Sequence, residues 1–255
     1  MKLRNNLKAS LILKILWVVI AIVGTILSFV MPNLAKDNTV RSPFLFYTNW
    51  SVYFSLIVGI TSLISIILQL IKKKESGNNE LVPILKFSAN IMIIATFIVS
   101  AFVLPDKIWK AEYWTLPSIF KHFLLPIITV LDSVLFDRKR SYRWSYPLIA
   151  LIFPLIYWIA LIIRIVVNGG GSTGIPENMW DHYYPYGFTN LDKEGSMGLG
   201  GLIGLLAGIM VGLILIGYIF FAFDKLEKVD GKSKFNFKVD EENMTDIFAL
   251  IKRKK

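Results

Sequence analysis

The sequence contains no cysteine, which excludes disulfides, thiolate metal sites and cysteine nucleophiles. Histidine is almost as scarce, with only His122 and His182. That leaves little for a histidine-based metal centre, and no metal-ligand spacing is present, so neither a metal nor another cofactor is expected. A nucleic-acid interface is also missing. The net charge of +10 has the right sign, but the basic residues form neither a continuous face nor a reader motif, and no nucleic-acid partner is expected.

What is present is apolar residues in excess. They make up 55% of the chain, with a mean hydropathy of +0.57, against about 45–50% in soluble domains. They fall into six blocks: Leu11 to Met31, Val52 to Ile71, Ile84 to Leu104, Ile119 to Phe136, Tyr146 to Val167 and Met197 to Phe223. Each has roughly the twenty residues a helix needs to cross about 30 Å of hydrocarbon, and only helices or closed barrels pair every backbone group there. The expected fold is all-α, a polytopic membrane bundle of six transmembrane helices. Residues 1–223 form the transmembrane domain and 224–255 a charged cytoplasmic tail. The basic start (Lys2, Arg4, Lys8) resembles that of a signal peptide, but the apolar run is too long and no small-x-small cleavage site follows, so the first block reads as an anchor.

Lys and Arg in the loops set the expected orientation. Lys2, Arg4 and Lys8, then Lys72, Lys73 and Lys74, then Arg138, Lys139, Arg140 and Arg143, and finally Lys252 to Lys255 share one side. The opposite loops carry Lys36, Arg41, Lys107, Lys110 and Lys193 with acids such as Asp37, Asp106, Glu112, Glu177, Asp181 and Glu194. Both termini are therefore expected in the cytoplasm, and the chain in the cell (plasma) membrane as a multi-pass protein. Ser76 to Asn79 reads as a polar turn and Asn168 to Gly174 as a glycine-rich exit from span five. The aromatic segment around Trp180, Tyr183, Tyr184, Tyr186 and Phe188 suits an interfacial belt. In span six, Gly200, Gly204, Gly208 and Gly212 recur every four residues, a ridge that lets another helix approach closely within the bundle or in a homo-oligomer. In the tail, Met244, Ile247, Phe248 and Ile251 have the spacing of a short amphipathic helix, open to either a solvated or an anionic-lipid reading.

Polar groups at membrane depth are the best functional candidates. Thr48 and Asn49 precede span two, His122 lies in the first turn of span four, and Arg164 lies in the last turn of span five. Three helices thus bring these groups to the same outer end. A threonine hydroxyl becomes a nucleophile when a base takes its proton, and a neutral imidazole can do so. Asn49 or a free amide at the start of span two can hold an oxyanion, a contact of roughly 3–4 kcal/mol in a well-studied protease. Arg164 suits a carboxylate or phosphate. Each group also has a plainer role: Thr48 bonding its own backbone, His122 hydrated at the interface, Arg164 reaching for headgroups. Asp132 lies roughly 15 Å below His122, a bundle contact or an inner-side cap.

Three runs occur in order: Phe46-Tyr47-Thr48-Asn49-Trp50, Lys121-His122-Phe123-Leu124-Leu125-Pro126 with Asp132 after it, and Tyr184-Pro185-Tyr186-Gly187-Phe188. Together with Phe136-Asp137 and Pro154-Leu155-Ile156-Tyr157, they resemble the androgen-induced family of membrane threonine hydrolases and its bacterial six-span relatives, over nearly the whole chain except the tail. The resemblance implies hydrolysis of lipid esters, namely fatty acid esters of hydroxy fatty acids or similar. It implies Thr48 as nucleophile and His122 as base, and Asp132 matches the acid ten residues after that histidine; the substrate-binding candidates are Asn49, Arg164, Tyr184 and Asp132. The expected partner is a membrane lipid or lipid-like substrate. The competing expectation is a non-enzymatic small lipid or solute carrier or scaffold. For a carrier, neither two-half symmetry nor a mid-bilayer charge pair is read from the sequence.

Overall fold

The structure, a computed structural model, describes residues 6–30, 43–71, 80–103, 114–172, 174–229 and 232–238. The loop charges Lys36, Asp37, Lys72 to Lys74, Asp106, Lys107, Lys110 and Glu112, the turn at 76–79 and the amphipathic tail segment lie outside the described residues.

Six helices are long and apolar enough to cross a membrane: α1 (Leu7–Val30), α2 (Tyr47–Ile71), α3 (Pro83–Val103), α4 (Leu116–Phe136), α5 (Tyr146–Val167) and α6 (Gly198–Lys225). The all-α multi-pass bundle stands as expected. The start of the tail is ordered as well: α6 runs on to Lys225, and β1 (Leu226–Val229) and β2 (Lys232–Phe235) pair as an antiparallel hairpin with Leu226 opposite Phe235.

On α1 and α2, small and polar side chains make up much of the inward face. On α1 the buried stripe is Leu7, Ser10, Lys14, Trp17, Ala21, Gly24 and Ser28, a spacing of alternating threes and fours that keeps one face turned to the neighbours. The large side chains Ile12, Leu16, Val19 and Ile26 are exposed, as lipid contact requires. On α2, Ser51, Ser55, Gly59, Ser62 and Ser65 are buried. Trp17 donates its indole N–H to Ser55 Oγ at 2.9 Å. Lipid tails are as apolar as leucine, so helix association comes from close packing and such hydrogen bonds rather than from burial of large side chains.

Proline shapes two of the spans. Pro154 leaves the Ala150 carbonyl without its usual donor, and α5 is interrupted by a turn at residues 150–151. In α4 the stretch Ile119–Leu124 is π-helical, with the Leu125 amide donating five residues back to Phe120. Pro126 follows immediately and has no N–H to offer the His122 carbonyl in α-helical register, which favours the wider turn.

The bundle has two ends. At the terminal end, where α1 starts and α6 finishes, Asp224 accepts the backbone N–H groups of Ser141 and Tyr142, both at 3.1 Å, and Lys225 Nζ donates to the Tyr142 carbonyl at 2.6 Å. At the opposite loop end, Tyr157 donates its hydroxyl to the Leu45 carbonyl at 2.7 Å. Tyr47, Trp158, Tyr186 and Phe188 pack ring on ring there.

The glycine ridge of α6 makes no close contact among the described residues. A Cβ added at Gly200, Gly204, Gly208 or Gly212 meets nothing within 4 Å, whereas at Gly217, off the ridge, it comes 2.9 Å from Pro147 Cβ. A small residue is therefore needed where α6 crosses the start of α5. We expect Gly217→Ala to lower stability by about 1–3 kcal/mol through overpacking, with Gly208→Ala neutral. Thermal unfolding of the two variants in the same detergent checks this.

Candidate functional site

At the loop end, α2 and α4 touch through polar side chains. Asn49 Oδ1 accepts from Lys121 Nζ at 3.1 Å and from Ser28 Oγ at 2.8 Å, and Asn49 Nδ2 donates to the Pro43 carbonyl at 2.7 Å. The segments carrying Thr48 and His122 are thus joined at the same end of the bundle through their immediate chain neighbours. Asn49 is itself fully engaged in this junction. Lys121 and Ser28, which the sequence reading did not single out, complete it.

Thr48 faces the other way. It lines a cavity of about 10 Å³ with Thr96, Ser100, Trp158 and Tyr186, and His122 is not among the lining residues. The Thr48 hydroxyl bonds the Tyr186 side chain, and the Tyr186 phenol oxygen also accepts the Tyr47 backbone N–H at 2.9 Å. Two of the three sequence runs, at 46–50 and 184–188, are therefore in contact, and Tyr186 meets the first turn of α2, where free amides accumulate. His122 sits in the π-helical stretch, half-buried, with Nδ1 out of solvent. Its neighbour Phe123 packs on Phe97 and Trp114, with ring centroids at 5.8 and 5.0 Å. A π-helical stretch is rare and often marks a functional position.

Next to Tyr47, between α2 and α5, lies an apolar cavity of about 410 Å³ whose walls include Trp50, Phe153, Tyr157 and Leu161, with Arg164 also lining it. Exposed Phe44 and Ile156 on its rim open it toward lipid. The Arg164 guanidinium stacks over the Tyr183 ring at 5.4 Å. An apolar slot with one guanidinium suits an acyl chain that carries an anionic or polar head.

Tyr184 is buried in the segment between α5 and α6, where it donates its hydroxyl to Asp192. Asp192 also accepts the N–H groups of Gly171 and Ile175, both at 2.7 Å. Burial alone would raise its carboxyl, but these three donors hold it below the ordinary range. A depressed carboxyl contributes stability that is present above the unfolded value of about 3.9 and lost as pH falls through the folded one. Asp192→Asn should lower the protection of the Gly171 and Ile175 amides by about tenfold at neutral pH, and in the wild type their protection relative to the intrinsic exchange rate should fall as pH drops through the lowered Asp192 value. Hydrogen exchange reads both effects.

Asp132 stands apart from these groups, toward the terminal end. Lys14 Nζ donates to Asp132 at 2.7 Å and to Glu80 at 2.8 Å. Lys86 Nζ contacts Asp132 and Asp137, both at 2.5 Å, and Glu80 at 2.9 Å. Lys14 and Asp132 are fully buried, and Lys14 lies roughly 10 Å along α1 from its start. The sequence shows no mid-bilayer charge pair, and the buried ion pairs found here lie toward the terminal end. These pairs escaped notice because Lys14 and Lys86 sit singly in apolar surroundings and their acids come from other segments. A buried lysine in a membrane span is nonetheless a signal in its own right.

No family model matches the chain, and neither a curated protein nor a solved structure does.

Proposed function

We propose that this chain is a membrane-embedded hydrolase of lipid esters, acting on fatty acid esters of hydroxy fatty acids or similar molecules, with Thr48 as nucleophile and His122 as general base. Its termini are cytoplasmic and it resides in the plasma membrane. Thr48 attacks the ester carbonyl as His122 takes its proton, and an acyl-threonine forms. The alcohol leaves with that proton, and water, deprotonated by His122, then cleaves the acyl group. The acyl chain lies in the slot between α2 and α5, where Arg164 faces a carboxylate. Asn49 is committed to Lys121, Ser28 and Pro43, so oxyanion support falls to the first-turn amides of α2 that Tyr186 covers at rest. Substrate entry must displace the Tyr186 hydroxyl from Thr48.

The single observation that carries this reading is the 3.1 Å contact between Lys121 and Asn49, which supports bringing the segments of Thr48 and His122 to one end of the bundle, and the Thr48 side chain must turn from Tyr186 to reach the imidazole. The ordered resemblance adds the chemistry. The purified full chain in detergent should release free fatty acid from a palmitate ester of hydroxystearate. Release no faster than in buffer would count against a hydrolase of this class.

The carrier reading is favoured by the buried cluster of Lys14, Glu80, Lys86, Asp132 and Asp137, because charges inside a bundle often mark an ion or proton path. Fatty acid uptake into proteoliposomes without ester cleavage would favour it.

A further inference from the structure

The same cluster is the largest set of titratable groups that the catalytic reading leaves unused. Three carboxylates, each offering an oxygen within 4.8 Å of the others, share two ammonium groups. Two further donors reach the carboxylates. Ser62 of α2 donates to Glu80 Oε2 at 2.7 Å, and Tyr142, beyond α4, donates to Asp137 Oδ2 at 3.1 Å. Asn90 of α3 donates to Ser133 Oγ at 2.7 Å. The Trp17 ring of α1 lies 5.8 Å from Lys86 Nζ. One oxygen is left out: among the described residues, Asp132 Oδ1 is buried without a hydrogen-bond partner, in a residue with no exposed surface. A bare carboxylate oxygen in a low-dielectric interior is expensive, and a proton shared among crowded carboxylates relieves both that cost and their mutual repulsion.

Access is visible as well. A cavity of about 20 Å³ lies against Asp137, with Ser133, Tyr142, Arg138, Lys139 and Asp224 among its walls. Arg138 and Lys139 are half-exposed, so the cavity leads toward the terminal end. Asp224 at its edge is paired with Lys225.

We propose that this cluster of three carboxylates and two ammonium groups binds one exchangeable proton, which passes to and from the terminal end of the bundle past Asp137. A bound metal fits less well, because the Lys86 ammonium already lies within 2.9 Å of an oxygen from each of the three acids and would repel a second cation. Burial pushes the Asp137 carboxyl up although Lys86 pulls the other way.

Infrared difference spectroscopy of the full chain in nanodiscs, titrated through neutral pH, tests the site. One protonated-carboxyl band should be lost as pH rises, be absent in Asp137→Asn or Asp132→Asn, and persist in Asp192→Asn. The Tyr142 hydroxyl donates to the charged form of Asp137. Tyr142→Phe should therefore raise the midpoint by about one pH unit, a tenfold gain in proton affinity. This variant keeps the test decisive if the Asn variants fail to fold. A band unchanged in both Asn variants, or a midpoint unmoved in Tyr142→Phe, would overturn the assignment.

Discussion

Thr48→Ala and His122→Ala should each reduce ester hydrolysis by at least about a thousandfold, and each should abolish labelling by a serine/threonine-directed fluorophosphonate. Nucleophile and base act as a unit, so removing either alone costs nearly as much as removing both. The double variant should be no slower than either single one. Thr48 lies at the edge of a tight contact with Tyr186, and alanine there leaves the Tyr47 amide bond to Tyr186 in place, so the fold should survive. His122 lies in the π-helical stretch, where alanine is a good helix former. Multiplicative rather than saturating losses in the double variant would show that the two residues do not act together.

The second large effect is on stability. Lys86→Met removes the ammonium that touches Glu80, Asp132 and Asp137 and leaves their charges crowded in the bundle. Breaking a buried ion network by deleting one partner costs about 3–5 kcal/mol, far more than a surface pair of about 0–1 kcal/mol. Lys14→Met removes a cation that touches only Glu80 and Asp132 and should cost less. Adding Asp132→Asn to Lys86→Met should recover part of the loss, because an uncompensated charge is then removed. Denaturation of the detergent-solubilised variants reads the ranking. Equal stability of Lys86→Met and wild type would mean that the cluster contributes nothing to the fold.

The six spans were legible because each depends on a local quantity, a run of apolar residues long enough to cross hydrocarbon, and α1 to α6 lie within a few residues of the expected blocks. The polarity of the inward faces was harder to see. In water-soluble helices the large apolar side chains point inward, whereas here Ser51, Ser55, Ser62 and Lys14 do, and Ile12 or Leu16 face out. That inversion hid Lys14 and Lys86, whose acids Glu80, Asp132 and Asp137 come from elsewhere in the sequence and meet them only in three dimensions. The glycine ridge of α6 shows the opposite case. Its spacing was plain, but spacing does not say which partner covers it, and no helix among the described residues does. At the loop end, the order of the three sequence runs pointed to one site, yet the contact of Tyr186 with Thr48 depends on the path of the segment between α5 and α6, which no local pattern fixes.

The most direct test of the catalytic proposal is to react the purified wild-type chain with a fluorophosphonate probe and locate the adduct by peptide mass spectrometry. The account requires a single adduct on Thr48 that disappears when His122 is replaced. An adduct on any other hydroxyl, with Thr48 unmodified, would contradict it.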